Sequence, residues 1–135
     1  MYKQLFDLFL KSEDTLRIYN EHKLLFSSNK DRLEPLIEYI KNSGDRNSPV
    51  VVFDKIAGNA AALLMVKIGC REIYSPLGSQ IAVKTFTKYK IRYHLLKAVP
   101  FIQRESMNDM CPMERLSIDK EPEEFYHLVL ASFSN

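Results

Sequence analysis

One stretch of the chain, residues 49–69, joins a short apolar run to a helical segment that is apolar on nearly every side. The run Val50–Phe53 has no polar alternation, which is typical of a central strand covered on both faces. The segment from Gly58 to Ile68 carries Lys67 as its only charge, and Gly69 is placed to end the helix. A strand and a helix that are both buried need cover on either side, so this stretch predicts a layered α/β fold.

The flanking segments predict the rest of the sheet. Two short β-prone runs, 16–19 and 24–26, surround a polar turn and indicate an antiparallel hairpin. Later strands at 71–75 and 91–96 alternate with helices, and such units form parallel, right-handed crossovers. The fold class expected is therefore α/β, a three-layer α/β/α sandwich with a mixed sheet of about five strands, the hairpin plus parallel strands. Helical periodicity marks residues 2–11, the segment after Glu34, the segment after Ser79 and a final segment around Phe125. Ser79 is placed to be the N-cap of its helix.

The polar segment from Asn42 to Pro49 is rich in turn formers and resembles a linker in composition. The apolar material before it is too small for a separate domain, so we interpret it as a surface loop. The length of 135 residues suits one domain, and residues 1–135 are expected to form it.

Composition excludes several classes of partner. Nineteen basic and 17 acidic residues give a net charge of +2, which is too mild for a nucleic-acid surface. No apolar run approaches the roughly 20 residues of a membrane span. The first residues lack a secretion-signal pattern, and two cysteines are too few for a disulfide scaffold. We therefore expect a cytoplasmic protein without nucleic-acid or membrane partners.

The turn from Asp54 to Asn59 is the first candidate site. Gly58 would let a ligand approach the backbone, and the N–H groups at the helix start would face an anion or a carbonyl. Asp54 and Asn59 would hydrogen-bond the ligand, and Lys55 would neutralise a phosphate. The alternative interpretation is ordinary helix capping. A P-loop is excluded because its glycine spacing and its Gly-Lys-Ser/Thr ending are missing.

Cys111 is the second candidate, since it precedes Pro112 and lies one turn before Glu114. A thiol at a helix N-terminus gains nucleophilicity as its pKa falls. The alternative is an inert, partly buried cysteine, because no histidine lies near it in sequence. His94 is interpreted as a packed or edge histidine rather than a catalytic one. The sequence has no paired-cysteine or His-x-Glu motif, so neither a metal site nor a cofactor is expected.

Two motifs together carry a family resemblance. The run from Asp54 to Leu64, DKIAGNAAALL, followed by CPME from Cys111 to Glu114, resembles a family of small uncharacterised bacterial and archaeal proteins. The resemblance spans nearly the whole chain, and it implies a cytidine deaminase-like fold without a known activity. The chain departs from the family pattern at Asn59, where many relatives carry lysine.

The same resemblance implies that zinc-dependent deamination is absent. Cytidine deaminases carry His-Ala-Glu at the helix after the hairpin and Pro-Cys-x-x-Cys at the helix after the next strand. The matching places here are Asp31–Pro35 and Ile56–Ala60, which hold neither histidine nor cysteine. Glu34 would stand in for the proton-shuttling glutamate, with no metal-bound water to activate.

Three functional hypotheses follow. The first is a zinc-free, deaminase-like protein that binds a nucleotide-like or other phosphate- or carbonyl-bearing ligand at the start of the Gly58–Ile68 helix, with Cys111 and Glu114 folding over the site. The second is a thiol-dependent enzyme that uses Cys111 with Asp54 or Glu114. The third is an interaction module, a homodimer formed through an apolar helix face or a sheet edge.

Overall fold

The structure is a computed structural model that describes residues 2–43, 48–103 and 109–133. Within these ranges it contains helices and strands in the predicted alternation. The helices are α1 (Lys3–Lys11), α2 (Glu34–Ser43), α3 (Asn59–Lys67), α4 (Gln80–Lys88), α5 (Pro112–Ser117) and α6 (Pro122–Phe133). The strands are β1 (Leu16–Asn20), β2 (Lys23–Ser28), β3 (Val50–Asp54), β4 (Cys70–Ser75), β5 (Gly78–Ser79), β6 (Arg92–Leu95) and β7 (Ala98–Val99).

The main sheet has five strands in the order β2-β1-β3-β4-β6. Strand β1 is antiparallel to both β2 and β3, whereas β3, β4 and β6 are mutually parallel. The predicted hairpin and the parallel crossovers are confirmed. The hairpin closes through Glu21 and His22, whose φ angles of 49° and 69° give the two-residue turn that fits the twist of antiparallel strands.

Strand β3 is the central strand, and its buried run Val50–Phe53 explains why. Side chains on one face of the sheet, including Val50 and Val52, pack with α2, α3, α4 and α6 in the larger core. Helix α3 is buried over residues 59–65, as its apolar sequence predicts, because α2, α4, α5 and α6 surround it. Gly69 ends this helix with φ of 77° and leads directly into β4.

Helix α1 covers the opposite face of the sheet with aromatic side chains. Tyr2, Phe6 and Phe9 pack around Phe53 of β3 and Tyr19 of β1. The ring centroids of Phe6 and Phe9 lie 5.5 and 5.7 Å from that of Phe53, in the range of favourable aromatic pairs. Within the described ranges, one helix on this face and five on the other give three layers.

One feature extends the sequence expectation. The two-stranded sheet of β5 and β7 is not predicted, because each strand has only two residues and carries no periodicity.

The predicted N-cap Ser79 is confirmed, since its Oγ accepts the N–H of Ala82 at 3.0 Å. Residues 44–47 of the predicted surface loop lie outside the described part of the chain. No helix within the described ranges is long and apolar enough to cross a membrane.

Replacement of Phe53 by alanine tests the aromatic layer. Phe53 is fully buried among five aromatic rings, so Phe53→Ala leaves a cavity and should lower the free energy of unfolding by about 3–5 kcal/mol. Urea unfolding followed by circular dichroism measures the loss. Leu8→Ala on the exposed side of α1 is the control, with an expected change within about 0.5 kcal/mol. Equal losses for the two variants would contradict this packing.

Candidate functional site

The start of α3 lacks a capping side chain of its own. The residue at the N-cap position is Gly58, which has extended backbone angles and no side-chain oxygen to offer. The first N–H groups of a helix have no partner within the helix, and a buried helix end cannot take one from water. Helix α3 therefore needs an acceptor from another part of the chain.

Glu114 of α5 supplies that acceptor. Its Oε1 accepts the N–H of Asn59 at 2.5 Å, and its Oε2 accepts the N–H of Ile102 at 2.7 Å. The residue is only 2% exposed, so these hydrogen bonds take the place of its hydration. The positive end of the α3 dipole adds to the stabilisation of the carboxylate. Two backbone segments thus converge on one buried anionic group.

Asn59 ties the same helix end to two further helices. Its Nδ2 donates to Oγ of Ser117 at 2.9 Å and to the Ser117 carbonyl at 3.2 Å. Its Oδ1 accepts a hydrogen bond from the hydroxyl of Thr85 in α4. The Asn59 side chain is buried, and its amide oxygen and nitrogen are both used. It therefore joins α3 to α4 and α5 in the observed structure.

Gly58 lies in close contact with the residues that hold Glu114. A Cβ atom at this position would stand 2.9 Å from Cγ1 of Ile102 and 3.0 Å from Oε1 of Glu114. Both distances are shorter than ordinary contacts, so the absence of a side chain is what lets these groups approach the turn. The sequence predicts that Gly58 lets a ligand approach the backbone; in this structure the groups that approach it are the side chains of Ile102 and Glu114.

Cys111 lies at the N-cap of α5, three residues before Glu114. Its N–H donates to the carbonyl of Ile102 at 2.8 Å, and its own carbonyl accepts the N–H of Arg115 at 3.0 Å. The residue is partly buried and its thiol is free. Because α5 packs against α3, the structure brings the CPME motif and the start of α3 together through Glu114.

Lys55 and Asp54 contact other groups. The Nζ of Lys55 donates to the carbonyls of Ser12 and Asp14 at 2.9 and 2.8 Å, and lies 4.6 Å from the ring centre of Phe9. It thereby fixes the connection between α1 and β1. Asp54 accepts the N–H of Ile56 at 3.2 Å in its own turn. Burial raises the pKa of Asp54 to about 7, and the hydrogen bond from Ile56 offsets part of that rise.

A second polar cluster, not selected from the sequence, lies on the α1 side of the sheet. Glu72 of β4 is buried, and its Oε2 lies 2.7 Å from Nε2 of His94 on the edge strand β6. His94 is an edge histidine, as interpreted from its strand, but it also has a buried carboxylate partner. A sequence signal for this cluster existed in Glu72 itself, an acid within a largely apolar strand. A buried carboxylate requires a partner, so a polar partner on a neighbouring strand could have been expected.

No group of three or more histidine, cysteine, aspartate or glutamate residues in the described ranges is arranged to hold a metal ion. Glu34, which the sequence resemblance matched to the deaminase glutamate, is an exposed residue whose Oε1 lies 3.9 Å from Nζ of Lys30.

Comparison with known proteins identifies relatives of unknown function. The model of the family TM1506, described as "Domain of unknown function (DUF1893)", matches residues 5–133. A crystal structure of a DUF1893 family protein, TM1506 from Thermotoga maritima, superimposes with a TM-score of 0.86 at 27% sequence identity. The match covers 96% of this chain and 88% of that one. No curated protein matches.

Removal of the Glu114 carboxylate tests its role at the start of α3. Glu114→Ala leaves two backbone N–H groups without their acceptor and should lower the free energy of unfolding by about 2–4 kcal/mol. Amide hydrogen exchange at Asn59 should also accelerate. Glu13→Ala, at an exposed glutamate, is the control and should change neither quantity. Unchanged exchange at Asn59 would show that the hydrogen bond contributes nothing.

Asp54 gives a prediction on pH. Because its pKa rises from 3.8 unfolded to about 7 folded, the folded state binds the extra proton between these values. Raising the pH through this window should therefore lower the stability of the native protein. Asp54→Asn keeps an oxygen acceptor for the N–H of Ile56 but has no carboxyl to titrate. Its free energy of unfolding, measured with urea, should therefore rise relative to that of the native protein from pH 4 to 8. Parallel pH curves for the two proteins would refute it, and Asp7→Asn is the exposed control.

Proposed function

The chain belongs to the DUF1893 family, and from this premise we propose that it binds a small ligand with an anionic group at the N-terminus of α3. The observation that carries the proposal is the buried carboxylate of Glu114, held by the N–H groups of Asn59 and Ile102. These donors and the helix dipole favour a negative charge whichever molecule supplies it. In the observed structure the protein supplies it from its own α5.

The ligand class follows from the geometry of these donors. Two N–H groups that converge on the two oxygens of one carboxylate also suit two oxygens of a phosphate. We therefore propose a phosphate- or carboxylate-bearing metabolite, with a nucleotide as the preferred example. The ligand would replace the Glu114 side chain, and Gly58 would leave room for its oxygens because it has no Cβ.

Helix α5 is the element that would move when the ligand enters. It has six residues, and Glu114 and Ser117 bond it to the start of α3. Cys111, at the start of α5, would then border the ligand. Asp54 would lie at the strand end of the same turn, while Lys55 keeps its structural contacts with the carbonyls of Ser12 and Asp14.

The thiol-dependent alternative, with Cys111 as nucleophile and Asp54 or Glu114 as its acid–base partner, stays a hypothesis, and its Glu114 form is weaker on chemical grounds. Glu114 would have to serve as an acid–base partner while both of its oxygens accept backbone hydrogen bonds. A homodimer, the third hypothesis, stays a prediction.

The proposal includes a deaminase-like fold that has lost the zinc chemistry. It is supported by the order of the elements, in which α2 follows the hairpin and α3 follows β3. In cytidine deaminases, these are the helices that open with the zinc motifs. Here the first opens with the exposed Glu34, and the second opens on the carboxylate of Glu114. An internal carboxylate would thus occupy the place where deaminases bind their metal.

Titration with orthophosphate and with adenosine monophosphate tests the proposal. The amide signals of Asn59 and Ile102 are followed by nuclear magnetic resonance in the native protein and in Glu114→Ala. Because the variant lacks the internal competitor, it should bind adenosine monophosphate at least about tenfold more tightly. Adding Gly58→Ala to this variant should weaken binding again, since its Cβ enters the vacated space.

Glu13→Ala is the matched control and should bind like the native protein. Two results would overturn the proposal. One is the absence of any saturable shift in Glu114→Ala at millimolar ligand. The other is equal affinity of Glu114→Ala and the native protein, because Glu114 would then not compete for the site.

A further inference from the structure

A groove of about 730 Å³ lies beside the edge strand β6, and none of the residues that line it belongs to the start of α3. Helix α1 forms one wall, and β6 with the residues after it forms the other. Its apolar and aromatic lining includes Phe6, Leu10, Tyr74, Val83 and Leu96. Leu96 is 68% exposed, so the groove presents apolar surface to water that a ligand would cover.

His94 is the histidine in this lining, and a buried carboxylate holds it. Its Nε2 lies 2.7 Å from Oε2 of Glu72, whose side chain is 8% exposed, whereas the His94 side chain is 42% exposed. A carboxylate bound to one ring nitrogen fixes the orientation of the imidazole and the tautomer in which that nitrogen carries the proton. In the neutral ring, Nδ1 is then a hydrogen-bond acceptor. Nδ1 has no hydrogen-bond partner among the residues that the structure describes.

Tyr74 strengthens this arrangement. Its hydroxyl donates to the same Glu72 oxygen at 3.2 Å, and its ring stacks on His94 with centroids 4.2 Å apart. Burial, with the adjacent Glu72 carboxylate, raises the pKa of Tyr74, so the hydroxyl keeps its proton and remains a donor. One face of the imidazole is thus set against a tyrosine ring.

The charges along the groove balance. Lys3 and Asp7 of α1 line it with opposite charges, and Gln80 adds a neutral amide. Such a lining selects neither an anion nor a cation, in contrast to the start of α3. Aromatic and aliphatic walls with one oriented acceptor suit a flat, uncharged ring that bears a hydrogen-bond donor.

We propose that this groove is a separate binding site in which His94, positioned by Glu72 and stacked on Tyr74, accepts a hydrogen bond from a small uncharged aromatic ligand. The ring of the ligand covers Leu96 and packs against the apolar and aromatic walls of the groove. Its N–H or O–H group donates to Nδ1 of His94. The site is independent of the proposed anion site, since the two share none of their residues.

Benzamide, benzoate and cyclohexanecarboxamide are the probes. Benzamide has a flat ring and an N–H donor, benzoate replaces the donor with a charge, and cyclohexanecarboxamide keeps the donor on a puckered ring. Methyl signals of Leu10 and Leu96 in the native protein should shift saturably with benzamide. Each of the other two probes should bind at least about tenfold more weakly than benzamide. Equal affinities for benzamide and cyclohexanecarboxamide would overturn the proposal, as would no saturable shift with benzamide.

Variants separate binding from structure. His94→Ala should weaken benzamide binding about tenfold, since it removes the hydrogen-bond acceptor, while His127→Ala on α6 leaves the affinity unchanged. Glu72→Gln tests the positioning role through the ring-nitrogen chemical shifts of His94, which report its tautomer. In Glu72→Gln these ring-nitrogen shifts should change and the affinity for benzamide should fall. An unchanged affinity in His94→Ala, or an unchanged tautomer in Glu72→Gln, would refute the respective role.

Discussion

The burial of α3 on all sides is the constraint on which the rest of this structure depends. A helix without a polar face cannot lie on the surface, so the sheet must cover one side and α2, α4, α5 and α6 the others. This explains why, in the described part of the chain, five helices lie on one face of the sheet and only α1 on the other. It also removes the N-terminus of α3 from water, so that its N–H groups require an internal acceptor.

That requirement links the core to the proposed site. Glu114 satisfies the helix end with a full negative charge, and Asn59 uses its amide to bind α4 and α5. One cluster of polar groups therefore both closes the core and creates an environment suited to an anion. Stability and anion binding are coupled at this point, because the same donors serve the internal carboxylate and would serve an external one.

The Glu72–His94 pair satisfies a buried carboxylate in a different way. Glu72 is buried, whereas its partner His94 lies on an edge strand. The His94 side chain is partly exposed and borders a groove. Among the described residues, Glu114 is bound by the backbone N–H groups of Asn59 and Ile102, and neither residue is exposed. The two clusters thus differ in access: the first reaches solvent through an oriented side chain, and the second is enclosed.

The sequence by itself determined the local elements: the hairpin, the central strand β3, the buried helix α3, the Ser79 cap and the parallel crossovers. Periodicity and capping act over a few residues, so they can be read from the chain. It also selected Gly58, Asn59 and Glu114, yet not their arrangement. Only the tertiary structure decided that Glu114 bonds to Asn59 across 55 positions, that Lys55 turns to α1, and that Glu72 meets His94 across 22 positions. These contacts depend on how helices and strands pack, and no short-range pattern encodes that packing.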